Sequence, residues 1–279
     1  MNVSKGIVGA ICLLSLLACR KTPGPSEIVT ANGLRRQEVW VTDENRIWIY
    51  LPKGSAENRP LVVIAAAGSP MYRGMALAEG DMPEHEPYAL AGCVVVAYDV
   101  SGPEPSTRWG AGAAVRKFLA SNGGVEDGRR AIDYALKNVP GIDSKRIIAA
   151  GHSSAATIAL QLALSDSRVS ACVAYAPCVD TERVLKDKLS DLERDAPGFR
   201  DFVARSSLLQ HAAQWEKPCF LFVAQDDSVI DPAEVREFAQ RSPGTQLFEA
   251  QSGDHYDSMI YEGIPMALEW LRKEKLLTQ

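Results

Sequence analysis

Residues 151–155 read Gly-His-Ser-Ser-Ala, between an apolar run, RIIAA (146–150), and an alanine-rich apolar stretch, SAATIALQLAL (154–164). A Gly-x-Ser-x-small pattern that follows a buried strand and opens a helix places its central serine on a tight strand-to-helix turn, hydroxyl outward. Gly151 and Ala155 supply the small residues on either side, so Ser153 is the candidate nucleophile and Ser154 contributes the backbone N–H after it. A helix N-cap would account for a single serine here, but not for the small residues on both flanks. A serine hydroxyl needs a base, and the base needs an acid to orient it. Two carboxylates, Asp226 and Asp227, follow the apolar run CFLFVAQ (219–225), and His255 follows TQLFEAQ (245–251). Of the other three histidines, His85 precedes an apolar run, His152 adjoins Ser153 and His211 lies in a charged segment.

Positioning such residues requires a scaffold. QEVWVT (37–42) and RIWIYLP (46–52) are β-branched and aromatic, and they predict an antiparallel hairpin. LVVIAAA (61–67), GCVVVAYDV (92–100), RIIAA and VSACVAYAP (169–177) are continuous apolar runs, as is CFLFVAQ, and each predicts a strand buried on both faces. Helical patterns lie between them: GVEDGRRAIDYALKNV (124–139), the stretch after Ser153, DPAEVREFAQR (231–241) and a closing segment over 256–277. Pro265 should mark either a kink or the first turn of the last helix. The alternation predicts an α/β fold with a mostly parallel central sheet, an antiparallel N-terminal strand pair and helices on both faces. A charged, weakly helical stretch over 180–215 interrupts it and reads equally as a lid-like insertion or as ordinary surface helices.

This order of elements, over roughly 37–275, resembles the α/β-hydrolase fold, and residues 37–279 form the expected domain. The stretch from GVEDGRR through GHSSA is similar to the dienelactone-hydrolase and prolyl-oligopeptidase-like branch. The resemblance implies a catalytic triad in the order Ser153, acid, His255. The DDSVIDP loop (226–232) resembles that branch's D-x-x-V-P loop, which makes Asp226 the acid, because Val229 follows three residues on, with Asp227 as the alternative. It also implies an oxyanion hole made by the backbone N–H of Ser154 and that of Ser69, with Gly68 as the alternative donor. Ala67 stands where related chains carry histidine. The implied chemistry is attack by Ser153 with His255 as base, an acyl-enzyme, and its hydrolysis by water, with no metal or organic cofactor. Serine in place of cysteine excludes the nucleophile of dienelactone hydrolases themselves. The expected substrate is a small ester or acylated molecule. A peptidase or amidase on the same triad and a catalytically silent binding lipoprotein are the alternatives. The length leaves no room for the β-propeller of prolyl oligopeptidases, which argues against a size-filtered peptidase. Arg108 is a carboxylate-binding candidate, weighed against an ordinary surface arginine.

The N-terminus carries a different signal. MNVSKGIVGAICLLSLLACR has one lysine before an apolar core shorter than a comfortable membrane span, as in a secretory signal peptide. Its end, LLAC, resembles the bacterial lipobox, so residues 1–18 are expected to be removed and Cys19 to carry a lipid. Residues 19–36 would be a tether, and the protein would sit at the cell envelope, on the periplasmic side of the outer membrane. A plain signal peptide or an N-terminal anchor helix is the alternative. The net charge of −5, without clustered Lys and Arg, argues against nucleic-acid binding. Cys93, Cys172, Cys178 and Cys219 have no metal-ligand spacing; Cys172–Cys178 and Cys178–Cys219 are candidate disulfides, against buried free thiols.

Overall fold

The computed structural model describes residues 24–54, 57–103 and 110–277. The expected signal peptide, Cys19 and Arg108 all lie outside the described residues.

Nine strands form one sheet: β1 (Ser26–Val29), β2 (Arg35–Thr42), β3 (Asn45–Leu51), β4 (Arg59–Ala65), β5 (Val94–Tyr98), β6 (Ile142–His152), β7 (Val169–Tyr175), β8 (Cys219–Ala224) and β9 (Thr245–Ala250). Their order is β1-β2-β3-β5-β4-β6-β7-β8-β9. The first three strands and the β3–β5 contact are antiparallel, and from β5 to β9 every pairing is parallel. The expected hairpin is β2–β3. Part of the stretch expected to be a tether (19–36) belongs to the folded domain: Ser26–Val29 pairs with β2 as an edge strand and Leu34 is buried.

The continuous apolar runs follow from two-sided burial. Along β6, Ile147 and Ala149 face one core while Ile148 and Ala150 face the other; Cys172 and Ala174 of β7 likewise oppose Ala171 and Val173. With a side-chain period of two, a strand covered on both faces needs apolar residues at every position. The helices are α1 (Met82–Leu90), α2 (Ala111–Ala120), α3 (Val125–Asn138), α4 (Ser154–Ser165), α5 (Thr181–Leu185), α6 (Leu189–Asp195), α7 (Phe199–Ser206), α8 (Leu208–His211), α9 (Pro232–Arg241), α10 (Asp254–Ser258) and α11 (Ile264–Lys273). α3, α4 and α9 contribute to one core; α1 and α11 contribute to the other. A wider π-type turn, Met259–Gly263, joins α10 to α11, and Pro265 falls in the first turn of α11.

The segment over 180–215 is the short-helix series α5–α8. Its inward residues Leu185, Leu192, Phe199, Phe202, Val203, Leu208 and Trp215 belong to the main core. Arg116 of α2 donates to the Asp195 carbonyl, and Arg183 pairs with Glu234 of α9. Among the described residues Cys93, Cys172, Cys178 and Cys219 are free and buried, and Cys172 and Cys219 lie opposite each other on β7 and β8. Burial pushes the Cys93 and Cys178 thiols up to about 12, which keeps them protonated and unreactive near neutral pH. Among the described residues no helix is long and apolar enough to cross a membrane.

Candidate active site

Parallel strands direct their carboxyl ends to one edge of the sheet, and in open α/β sheets that edge carries the ligand site. The loops after β4, β6, β8 and β9 hold Gly68–Ser69, Ser153, Asp226–Asp227 and His255 respectively, all at that edge.

Ser153 connects β6 directly to α4 with φ 56 and ψ −125, a conformation costly for a residue with a Cβ. The turn is held from both sides. The Ser153 N–H donates to the Tyr175 carbonyl at 2.9 Å, and its own carbonyl accepts from Ala156 N at 3.0 Å. Gly151 is required sterically, since a Cβ there would stand 2.5 Å from the Ala155 carbonyl carbon. Ala155 is fully buried against it, which explains why the position two residues after the serine must be small.

The carboxylate that meets the imidazole is Asp227, the alternative acid, and not Asp226. His255 Nδ1 lies 2.9 Å from Asp227 Oδ2 and 3.1 Å from Oδ1. A carboxylate only accepts, so Nδ1 carries a proton, and in the neutral imidazole the lone pair is then on Nε2. The Asp227 side chain is only 1% exposed, and the Val229 and Ile230 N–H groups also donate to its Oδ1. Burial alone would raise its pKa, but the hydrogen bond from His255 and those two N–H groups together hold the carboxyl below its ordinary value. Asp226 instead accepts from the backbone N–H of Gly253 at 3.2 Å and of Asp254 at 3.0 Å. Asp254 reciprocates by accepting from Ser228 N at 2.8 Å, so the loops after β8 and β9 are clasped from both sides. The loop resemblance through Val229 favours Asp226, but the first aspartate holds the histidine loop and the second meets the imidazole.

No hydrogen bond joins Ser153 to His255 among the described residues; such contacts often tighten only when substrate binds. The two loops are nonetheless adjacent. The His152 ring lies 4.5 Å, centroid to centroid, from that of His255, and His152 Nε2 is 3.0 Å from the His255 carbonyl. On the far side His152 Nδ1 stands 3.6 Å from Glu84 of α1, and both side chains are buried. Glu84 escapes sequence reasoning because PEHEP (83–87) carries no period that sets apart a carboxylate pointing inward. The remaining histidines lie elsewhere: His85 is fully buried beside Tyr50, with burial and then the nearby Arg36 charge driving it down to about 3, and His211 belongs to α8.

The oxyanion side also departs from expectation. The Ser69 N–H is not open; it donates to the Ser154 hydroxyl oxygen at 2.9 Å. Ser69 Oγ braces its own loop by donating to the Arg73 carbonyl at 2.6 Å and accepting from Met71 N at 3.1 Å. Gly68 adopts φ 90, which favours glycine. Among the described residues neither Gly68 N nor Ser154 N has an acceptor.

A mostly parallel sheet with a strained serine turn at the end of a central strand, and an acid–imidazole pair at the ends of later strands, defines a serine hydrolase of the α/β-hydrolase fold. Residues 82–263 match the prolyl oligopeptidase family (peptidase S9), and the chain belongs to that family. Hydrolysis of ester or peptide bonds follows from that membership. No curated protein matches the chain. Among solved structures, a butyrate-bound thermophilic esterase from Thermogutta terrifontis is similar at 19% identity and TM-score 0.62, over 92% of this chain and 96% of that one. Acetyl xylan esterase 1 from Thermoanaerobacterium is similar at 16% identity and TM-score 0.59, over 88% of each chain. An acylaminoacyl peptidase from Pyrococcus horikoshii is similar at 14% identity and TM-score 0.65, over 93% of this chain but only 44% of that one.

Proposed function

We propose that the protein is a carboxylic-ester hydrolase working through Ser153, His255 and Asp227. The observation that carries this reading is the Asp227–His255 hydrogen bond through Nδ1, on a loop that packs against His152 next to the strained Ser153 turn. In the proposed mechanism His255 Nε2 takes the Ser153 proton as Oγ attacks the substrate carbonyl. Asp227 holds the ring and stabilises the imidazolium. The proton then passes to the leaving alcohol, and water activated by the same nitrogen releases the acid. Exposed apolar side chains flank the two loops: Val229 is 64% exposed, Tyr256 40% and Tyr261 75%. Of these, the Tyr256 ring packs 5.7 Å from that of His152, which supports an apolar contact for a small acyl or alkoxy group. Two of the similar solved structures named above are esterases, which supports an ester substrate.

The test is labelling with a fluorophosphonate, followed by turnover of short p-nitrophenyl esters against aminoacyl amides. Wild type should label and cleave the esters faster, and Ser153→Ala should lose labelling and about 10⁴-fold or more of kcat. A well-folded wild type that neither labels nor turns over either substrate favours the silent binding protein. Preferential amide cleavage favours the peptidase.

We further propose that Cys19 is lipidated and tethers the enzyme to the bacterial envelope, on the periplasmic side of the outer membrane. The support is the LLAC sequence at residues 16–19 behind its short apolar core. Cys19→Ala should abolish partitioning into a detergent phase; continued partitioning would mean that the N-terminal apolar segment itself is the anchor.

A further inference from the structure

The oxyanion side of the site holds an arrangement that the first expected pair of backbone donors, Ser154 and Ser69, does not describe, and the Gly68 N–H remains without an acceptor among the described residues. A hole of the expected kind needs two N–H groups open to the substrate oxygen. Here the Ser69 N–H already ends on Ser154 Oγ at 2.9 Å. The loop presenting it is pinned, because Ser69 Oγ donates to the Arg73 carbonyl and accepts from Met71 N. Ser154 is only 4% exposed, and its side chain sits at the first turn of α4, immediately after the nucleophile.

A hydroxyl that accepts one hydrogen bond still has a proton to donate. Among the described residues nothing accepts the Ser154 proton, and nothing accepts from the Ser154 N–H. Both donors belong to the residue that follows Ser153 at the start of a helix, where unpaired N–H groups and the helix dipole favour negative charge. We propose that Ser154 is a two-point oxyanion donor, giving its backbone N–H and its hydroxyl proton to the same carbonyl oxygen, while Ser69 acts only through it by polarising that hydroxyl. No proton is transferred: the hydroxyl hydrogen shortens its contact to the oxygen as charge develops, and the Ser69 N–H shortens its contact to Oγ in step. Such a chain strengthens cooperatively in a poorly solvated setting. This inference rests on Ser153 being the nucleophile.

The alternative arrangement is a plug, in which Ser154 Oγ occupies the place of the substrate oxygen and must rotate away before Ser69 can donate. Kinetics with p-nitrophenyl acetate separate the two, using wild type, Ser154→Ala, Ser154→Gly and Ser154→Thr, with thermal unfolding to confirm folding. A two-point donor predicts that the variants lacking the hydroxyl lose about 10- to 100-fold in kcat, with KM within about threefold, because the lost contact strengthens only in the transition state. Ser154→Thr, which keeps the hydroxyl, should retain most of the wild-type kcat. Hydroxyl-free variants at or above wild-type kcat would overturn the proposal and establish the plug. If neither variant folds, a crystal structure of wild type phosphonylated at Ser153 decides the matter. The phosphoryl oxygen within hydrogen-bond reach of Ser154 Oγ supports the proposal, whereas contact with Ser69 N and a rotated Ser154 side chain overturns it. Failure of wild type to react at all would instead count against the esterase reading.

Discussion

On one flank of Ser153, the loops after β8 and β9 bind each other through Asp226 and Asp254 and leave Asp227 for the imidazole. On the other flank, the loop after β4 braces itself through Ser69 Oγ and directs the Ser69 N–H, the first of its two expected donors, onto the Ser154 side chain. The acid–imidazole flank therefore has its carboxylate–imidazole bond formed without substrate. On the oxyanion flank the Ser69 N–H is already engaged by Ser154. Charge accounts for the contrast. An ionised carboxylate makes strong bonds to several N–H groups at once and fixes its loop around them. A neutral hydroxyl both accepts and donates, so it can rest against the protein and still turn toward a ligand.

Substitutions can break this contrast or sharpen it. The largest effect belongs to the turn between the flanks. Gly151→Val should prevent accumulation of folded enzyme, because its Cβ alone would stand 2.5 Å from the backbone carbon of Ala155; soluble yield and circular dichroism report it. Next comes the buried acid: Asp227→Asn should lower kcat by about 10³- to 10⁴-fold, since the amide favours the wrong imidazole tautomer. Asp226→Asn should cost less than about tenfold in kcat. Its main effect should be a melting point lower by a few degrees, because one charge-assisted bond to the His255 loop weakens.

The smallest effect is on acid stability. The folded-state pKa of Asp227 lies below its unfolded value, so its contribution to stability is fully present above the ordinary carboxylate range. That contribution is lost as pH falls through the depressed folded value. Urea unfolding of wild type and Asp227→Asn should therefore converge as the pH is taken down through that window. A gap that holds constant with pH would contradict the assignment.

The sheet was legible in the sequence because burial on both faces leaves no room for polar residues; LVVIAAA and RIIAA could hardly be anything but interior strands. Ser153 was legible for a related reason, since the strained turn excludes side chains at Gly151 and permits only a methyl at Ala155. Partner choice within loops was not legible. Asp226 and Asp227 are chemically identical, and only the turn of the backbone decides which carboxylate points at the ring. The Ser154 hydroxyl and the Glu84 carboxylate left no periodic trace, because their roles depend on contacts 85 and 68 residues away in sequence, with Ser69 and His152. The edge strand Ser26–Val29 was hidden by the Pro and Gly residues just before it, which read as a tether.

The most direct test of the acid–imidazole half is a proton NMR measurement of the His255 Nδ1–H, a resonance shifted far downfield when that proton is held by a carboxylate. The resonance should be present in wild type, persist in Asp226→Asn and disappear or move sharply upfield in Asp227→Asn. Loss in Asp226→Asn with retention in Asp227→Asn would show that the imidazole is held by the other aspartate and would contradict the site described above.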